Sequence, residues 1–166
     1  MNFTLRPFIQ NDIDSLVKYA NNMKIAKFMT DQFPHPYSVD KGKAFIAFAT
    51  NNTPVHILAI SIDDQAVGGI GIHPQSDIHS QNAELGYWLG EPYWGQGIVT
   101  NAIRIMVDYG FKNFNINRIF ARPFGSNLPS QRVLEKNGFI LEARFHQTIL
   151  KNGQFEDELV YAIRKN

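Results

Sequence analysis

One stretch constrains this chain more than any other: a strand that stops at Leu89, an aromatic loop, and Gly95-Gln96-Gly97 opening a long helical pattern. The run over 83–103, AELGYWLGEPYWGQGIVTNAI, must turn from an extended to a helical path within a few residues. Glycines there let the backbone approach a ligand closely. The amides of a first helical turn point outward without partners, and the helix dipole favours negative charge beside them. A pyrophosphate suits such a place, and Thr100, one turn in, adds a hydroxyl. Read alone, the same turn is equally a tight strand-to-helix connection that binds nothing. The dinucleotide signature Gly-x-Gly-x-x-Gly is absent, because position 100 is threonine, and no lysine follows in P-loop register.

The chain has 166 residues, 44% of them apolar and 13% aromatic. This length predicts one domain, 1–166, able to bury roughly 70% of its unfolded surface. Residues 3–8 alternate as a strand. Asn11 is expected to cap a helix with Ile13, Leu16, Val17 and Ala20 at helical spacing. A short helical turn over 24–30 precedes a helix capped by Ser38, whose apolar face carries Phe45, Ile46, Phe48 and Ala49. Strands are expected over 55–62 and 65–73, joined at Asp63-Asp64, and over 81–89. The helix after Gly97 runs to about Asn113, with Ile98, Ala102, Ile105, Met106 and Tyr109 on one face. A strand over 117–122 leads to a helix opened by Asn127, with Pro129 in its first turn and Gly138 at its end. Two strands, 139–150 and 154–163, meet at Asn152-Gly153, a hairpin signal. The class is α/β or α+β with a mixed sheet.

Composition excludes several functions. With 16 basic against 15 acidic residues, bulk charge gives no nucleic-acid footprint. The absence of cysteine removes disulfides, thiolate metal sites and any covalent intermediate on a cysteine. The five histidines form no metal-binding spacing, so no metal is expected. His73 and His79 read as surface residues. Ser130 has no Gly-x-Ser-x-Gly context, so a hydrolase nucleophile is unsupported. No stretch reaches the ~20 apolar residues of a membrane span, and the opening residues lack the apolar run of a signal peptide. A cytoplasmic protein, monomer or homodimer, without membrane or nucleic-acid partner is the expectation.

Two segments together carry a resemblance. Glu84-Leu85-Gly86-Tyr87-Trp88-Leu89 leads to Pro92-Tyr93-Trp94-Gly95-Gln96-Gly97. Asn127-x-x-Ser130 then precedes Glu135-Lys136-Asn137-Gly138-Phe139. This resembles the GNAT superfamily of N-acetyltransferases, and within it the RimJ/RimL-like branch, over nearly the whole chain. The resemblance implies a mixed, mostly antiparallel twisted sheet of about seven strands, about four flanking helices, and splayed fourth and fifth strands. It implies acetyl-CoA as cosubstrate and an amine acceptor, a protein N-terminus or a small molecule, attacked directly in a ternary complex. Its pantetheine arm would pair with main chain at Tyr87, Trp88 and Leu89. Its pyrophosphate would sit at Trp94, Gly95, Gln96, Gly97, Ile98, Val99 and Thr100. Asn127 and Ser130 would meet the pantetheine or the leaving thiolate.

Within the same resemblance, Glu84 is the candidate base, with a structural ion pair as its alternative. Ser130 is the candidate thiolate partner, with helix capping as its alternative. Phe33, His35 and Tyr37 lie in the loop that borders the acceptor cleft in this fold. They either shape substrate entry or dock their rings on the core. The family's Gln/Arg-x-x-Gly-x-Gly/Ala pattern begins here with Trp94 and ends with Val99. A tyrosine common on the later helix is Leu134. A carboxylate that some RimL-type enzymes place on the sixth strand is Ile149. That last difference keeps open a second reading, a CoA-binding sensor or scaffold without turnover.

Overall fold

The computed structural model describes residues 2–165. Seven strands form one mixed sheet: β1 (Thr4–Arg6), β2 (Ile57–Ile62), β3 (Gln65–Pro74), β4 (Asn82–Leu89), β5 (Arg118–Ala121), β6 (Ile140–Lys151) and β7 (Gln154–Arg164). Their order is β1-β2-β3-β4-β5-β7-β6. The α-helices are α1 (Ile13–Ala20), α2 (Met23–Ala26), α3 (Val39–Ala49), α4 (Ile98–Asn113) and α5 (Leu128–Lys136). The chain divides into two compact units, Met1–Gly71 with Tyr87–Ala102, and Ile72–Gly86 with Ile103–Asn166.

In the first unit, all six residues of β2 are buried, as a central strand covered on both faces requires. Asp63 and Asp64 take φ of 47° and 62°, and Ile62 pairs with Gln65. Positive φ at both central residues is the hairpin turn whose twist matches the strands it joins. The expected cap at Asn11 is not what starts α1. A 3-10 turn over Gln10–Asp12 precedes the helix, and Asp12 stands at the N-cap position with no side-chain bond to α1. Its carboxylate is buried at 2% exposure, takes both terminal nitrogens of Arg6 at 2.8 and 2.7 Å, and accepts the Ile9 amide at 2.9 Å. The Asp12 carboxylate thus neutralises a cation and ties down the chain before α1. Ser38 does cap α3, its hydroxyl accepting the Lys41 amide at 3.3 Å. Ile46 and Ala49 face inward, Phe45 packs edge-on to Phe8 at 5.1 Å, and Phe48 is exposed.

In the second unit, Ile103, Met106 and Val107 are buried on α4, whereas Ile105 is 49% exposed. Of the expected face, Ile98, Ala102 and Met106 are buried, and Ile103 and Val107, at i, i+4 spacing, complete it in place of Ile105. Asn127 caps α5 by accepting the Ser130 amide at 3.3 Å. At its other end the Gly138 amide bonds to the Glu135 carbonyl and the Phe139 amide to the Leu134 carbonyl. These are the two bonds of a Schellman ending. Asn152 and Gly153, at φ of 51° and 75°, close β6 onto β7. The pairing of β6 with β7 is irregular between Phe145 and Ile149, where Gln147 has φ of 53°. Asp157 secures that bulge from β7. It accepts the Gln147 amide at 2.9 Å and Arg144 Nε at 2.7 Å, and lies 3.0 Å from His146 Nδ1.

Candidate active site

β4 pairs in parallel with β5 only over Asn82–Arg118, Ala83–Ile119 and Glu84–Phe120, yet β4 runs on to Leu89. A parallel pair that ends before its strand does leaves one edge without that strand's hydrogen bonds. This is the splay expected of the fourth and fifth strands.

The residues expected around the cofactor's diphosphate lie in the first unit. Gly95 and Gly97 have φ of +74° and +75°, which an L side chain adopts only with strain. A Cβ placed on either would meet nothing within 4 Å, so the strain serves an open surface and not a packed one. The Trp94 amide bonds to the Glu91 carbonyl at 3.1 Å, and the Asn101 amide to the Gly97 carbonyl at 3.1 Å. Between them, the amides of residues 95–100 make no main-chain hydrogen bond among the described residues. Six donors in succession at the start of a helix form a concentrated positive end. A diphosphate fits such a cradle, in charge and in space. Gly95, Gln96 and Gly97 are exposed, Ile98 is buried, and Val99 and Thr100 are half-buried.

Trp94 and Glu91 hold the approach to this turn. The Trp94 indole donates to the Leu89 carbonyl at 2.7 Å, so that carbonyl is already engaged. Glu91 accepts from Asn22 Nδ2 at 2.8 Å and from the Lys24 ammonium. Lys24 first, then Asn22, holds the Glu91 carboxyl below its ordinary value. Trp88 is buried. Gly69 makes room for it, since a Cβ there would lie 2.9 Å from the indole nitrogen. Phe33 packs on Trp88 at 6.0 Å and on Tyr37 at 5.7 Å. Tyr37 is buried, which pushes its hydroxyl up to about 12, while His35 is exposed. The aromatic loop thus docks on the core through Phe33 and Tyr37, and His35 is the member that faces solvent.

The second unit holds Glu84, Asn127 and Ser130. Glu84 receives Arg122 through both oxygens, Nε to Oε1 and Nη2 to Oε2, each at 2.9 Å. A carboxylate has about four lone-pair sites, so this fork leaves room for a water to donate to it. Asn127 Oδ1 is used in the cap that also fixes Ser130 at the head of α5. Gln131 Nε2 bonds to the carbonyls of Phe124 and Gly125 at 3.3 and 2.9 Å, tying the loop before α5 to the helix itself. Arg122 and Gln131 escaped the sequence reading. Arg122 shares a face with Glu84 only through the Glu84–Phe120 register, and no local spacing reveals that. Among the described residues, no group of three or more histidine, aspartate or glutamate side chains could hold a metal.

Known proteins share this fold. Residues 2–140 match the model of the acetyltransferase (GNAT) domain. A probable N-acetyltransferase of Bacillus subtilis (strain 168), YjcK, is 39% identical over 101 residues, 61% of this chain and 56% of that protein. The ribosomal-protein-serine acetyltransferase of Escherichia coli (strain K12) is 30% identical over 100 residues, 60% of this chain and 55% of that protein. The chain thus spans little more than half the length of these relatives. A RimL structure, a ribosomal L7/L12 α-N-protein acetyltransferase in complex with coenzyme A, superposes with a TM-score of 0.86 at 20% identity. That match covers 99% of this chain and 94% of the other. The fold is that of an acyl-group transferase. The chain belongs to the GNAT acetyltransferase family, whose enzymes use acetyl-CoA as cosubstrate.

Proposed function

We propose that this chain, with residues 1–166 working as one domain, transfers an acetyl group from acetyl-CoA to a primary amine by direct attack in a ternary complex. The observation that carries the reading is the run of amides over residues 95–100, without main-chain acceptors, at the head of α4. A protein N-terminal amine is the favoured acceptor, since the Escherichia coli relative is named for a ribosomal-protein serine; a small-molecule amine is the other class. The cosubstrate supplies an activated acetyl thioester.

The chain's own groups supply the rest. The amides of Gly95, Gln96, Gly97, Ile98, Val99 and Thr100 form the diphosphate cradle, with Trp94 at its entrance. Main chain at Tyr87, Trp88 and Leu89 lines the pantetheine arm, with Asn127 at the head of α5. Glu84 takes the proton of the attacking amine through a water, which its Arg122 fork leaves room to bind. Such base catalysis is worth ~10²–10⁴-fold. Ser130 donates to the departing thiolate. Phe33 and Tyr37 fix the wall of the acceptor entrance, and His35 stands at its rim. No helix is long and apolar enough to cross a membrane among the described residues. We place the protein in the cytoplasm as a monomer or homodimer, without nucleic-acid or membrane partners.

Calorimetric titration with acetyl-CoA, followed by thiol release over a panel of peptide N-termini and small amines, tests the reading. Binding with turnover on at least one amine is expected. Binding without release on any amine would reduce the protein to a CoA-binding module, and no binding would remove the cradle.

A further inference from the structure

The face of the sheet that carries Glu84 can be traced residue by residue. Glu84 pairs with Phe120, and Phe120 pairs with Ala162. Paired residues point to the same side, and alternate residues along a strand share it. Val160 and Glu158 therefore follow Ala162 on the Glu84 side of β7. The opposite side of β7 carries Leu159, buried at 3%, and Tyr161, whose hydroxyl donates to Glu135 of α5 at 2.9 Å. Glu158 is half-buried, lies opposite Phe145 of β6, and bridges to Phe124 just past the carboxyl end of β5. In open sheets, ligands gather outside the carboxyl ends of parallel strands.

Most charges on this face are paired: Arg118 and Arg164, two residues along from Phe120 and Ala162, both donate to Glu142. Glu84 and Arg122 cancel in their two-bond fork. Glu156 accepts the Ser126 hydroxyl at 2.8 Å. Beyond its main-chain pairings, the Glu158 carboxylate accepts no hydrogen bond among the described residues. It meets Arg122 only through its field, which helps hold that guanidinium protonated after Glu84's larger effect. It is a half-buried carboxylate beside an ion pair that is already satisfied.

We propose that Glu158 is the counter-ion that receives the protonated amine of the acceptor. Primary amines are ammonium ions near neutral pH, so the acceptor arrives carrying one positive charge. Glu158 supplies the matching negative charge, and Glu84 serves the later deprotonation. The proposal rests on the acetyl-transfer reading and deepens it: it selects cationic acceptors and separates docking from chemistry.

The division of labour predicts a split in kinetics. Glu158→Gln removes the charge and keeps the shape. It should raise the acceptor KM roughly 10- to 100-fold, the range of one hydrogen bond to a charged group, with kcat and acetyl-CoA affinity unchanged. Hydroxylamine, neutral at pH 8, is the control nucleophile, and its KM should be the same in both proteins. Glu158→Asp should recover part of the lost affinity. Added salt should weaken amine binding in the wild-type enzyme more than in Glu158→Gln. An unchanged amine KM in Glu158→Gln, or an equal loss with hydroxylamine, overturns the proposal while leaving acetyl transfer intact. Should the wild-type chain release no thiol with any amine, the transfer reading falls first and takes this one with it.

Discussion

In the proposed reaction, Glu84 serves structure and chemistry together. Its fork with Arg122 fixes the carboxylate next to the last paired residues of β4 and β5, and partial exposure keeps water within reach. Glu84→Gln should lower kcat ~10²-fold or more while leaving acetyl-CoA affinity unchanged, as rapid-quench and calorimetric measurements would show. Full activity in that variant removes Glu84 as proton acceptor. Gly97 offers a second test. A side chain at φ of +75° is strained, and a carboxylate there repels a diphosphate. Gly97→Glu should abolish measurable acetyl-CoA binding, whereas Gly97→Ala should weaken it through strain alone. Equal affinities for all three proteins would show that the turn does not touch the cosubstrate.

Among the elements, the first helix has a stability hinge that its amphipathic pattern does not advertise. Asp12 is fully buried, paired with Arg6, and bonded to the Ile9 amide at the entrance to α1. Removing one partner of a buried pair strands the other, a loss of about 3–5 kcal/mol. Asp12→Ala should therefore lower the urea midpoint sharply at neutral pH, with the m-value unchanged. A loss under about 1 kcal/mol would mean that water replaces the carboxylate, as it does for exposed pairs. The bulge of β6 is the second element held by one residue. Asp157 spans Arg144, His146 and Gln147, and its carboxyl is held below the ordinary value first by the Gln147 amide and then by Arg144.

For the whole molecule, ligand binding and pH act on the folded state as a unit. A ligand that binds only the native chain adds about 2.7 kcal/mol at a hundredfold excess over Kd. For this length that is a Tm rise of about 5–10 °C with saturating acetyl-CoA, readable by calorimetry. No shift would contradict the cradle at the head of α4. Acid should act in the opposite sense. Glu91, Glu142 and Asp157 all have carboxyl groups held below their ordinary values of 4.5, 4.5 and 3.8. A depressed folded-state value means the unfolded chain binds more protons, so stability rises with pH through that range. The contribution is complete above the ordinary values and is lost as pH falls through the lowered ones. The urea midpoint should decline a little through the histidine range, where burial holds His56 below its ordinary value of 6.5, and fall further below about pH 4. A midpoint that rises on acidification would contradict these three pairs.

Much of the fold was legible because it is local. The Asp63-Asp64 and Asn152-Gly153 turns, the Ser38 and Asn127 caps, the Gly138 ending and the Gly95-Gln96-Gly97 turn each depend on residues a few positions apart. Backbone strain and capping are decided within one turn of chain, so sequence alone determines them. Pairing across the sheet is different. Arg122 meets Glu84 from 38 positions away, Asp12 is buried against Arg6 at the entrance to α1, and Ile105 turned outward while Ile103 turned in. Glu158 reads from its neighbours as an ordinary strand carboxylate. Strand register and helix rotation are set by the shared packing of distant segments, and only the tertiary structure decides which charges then stand alone.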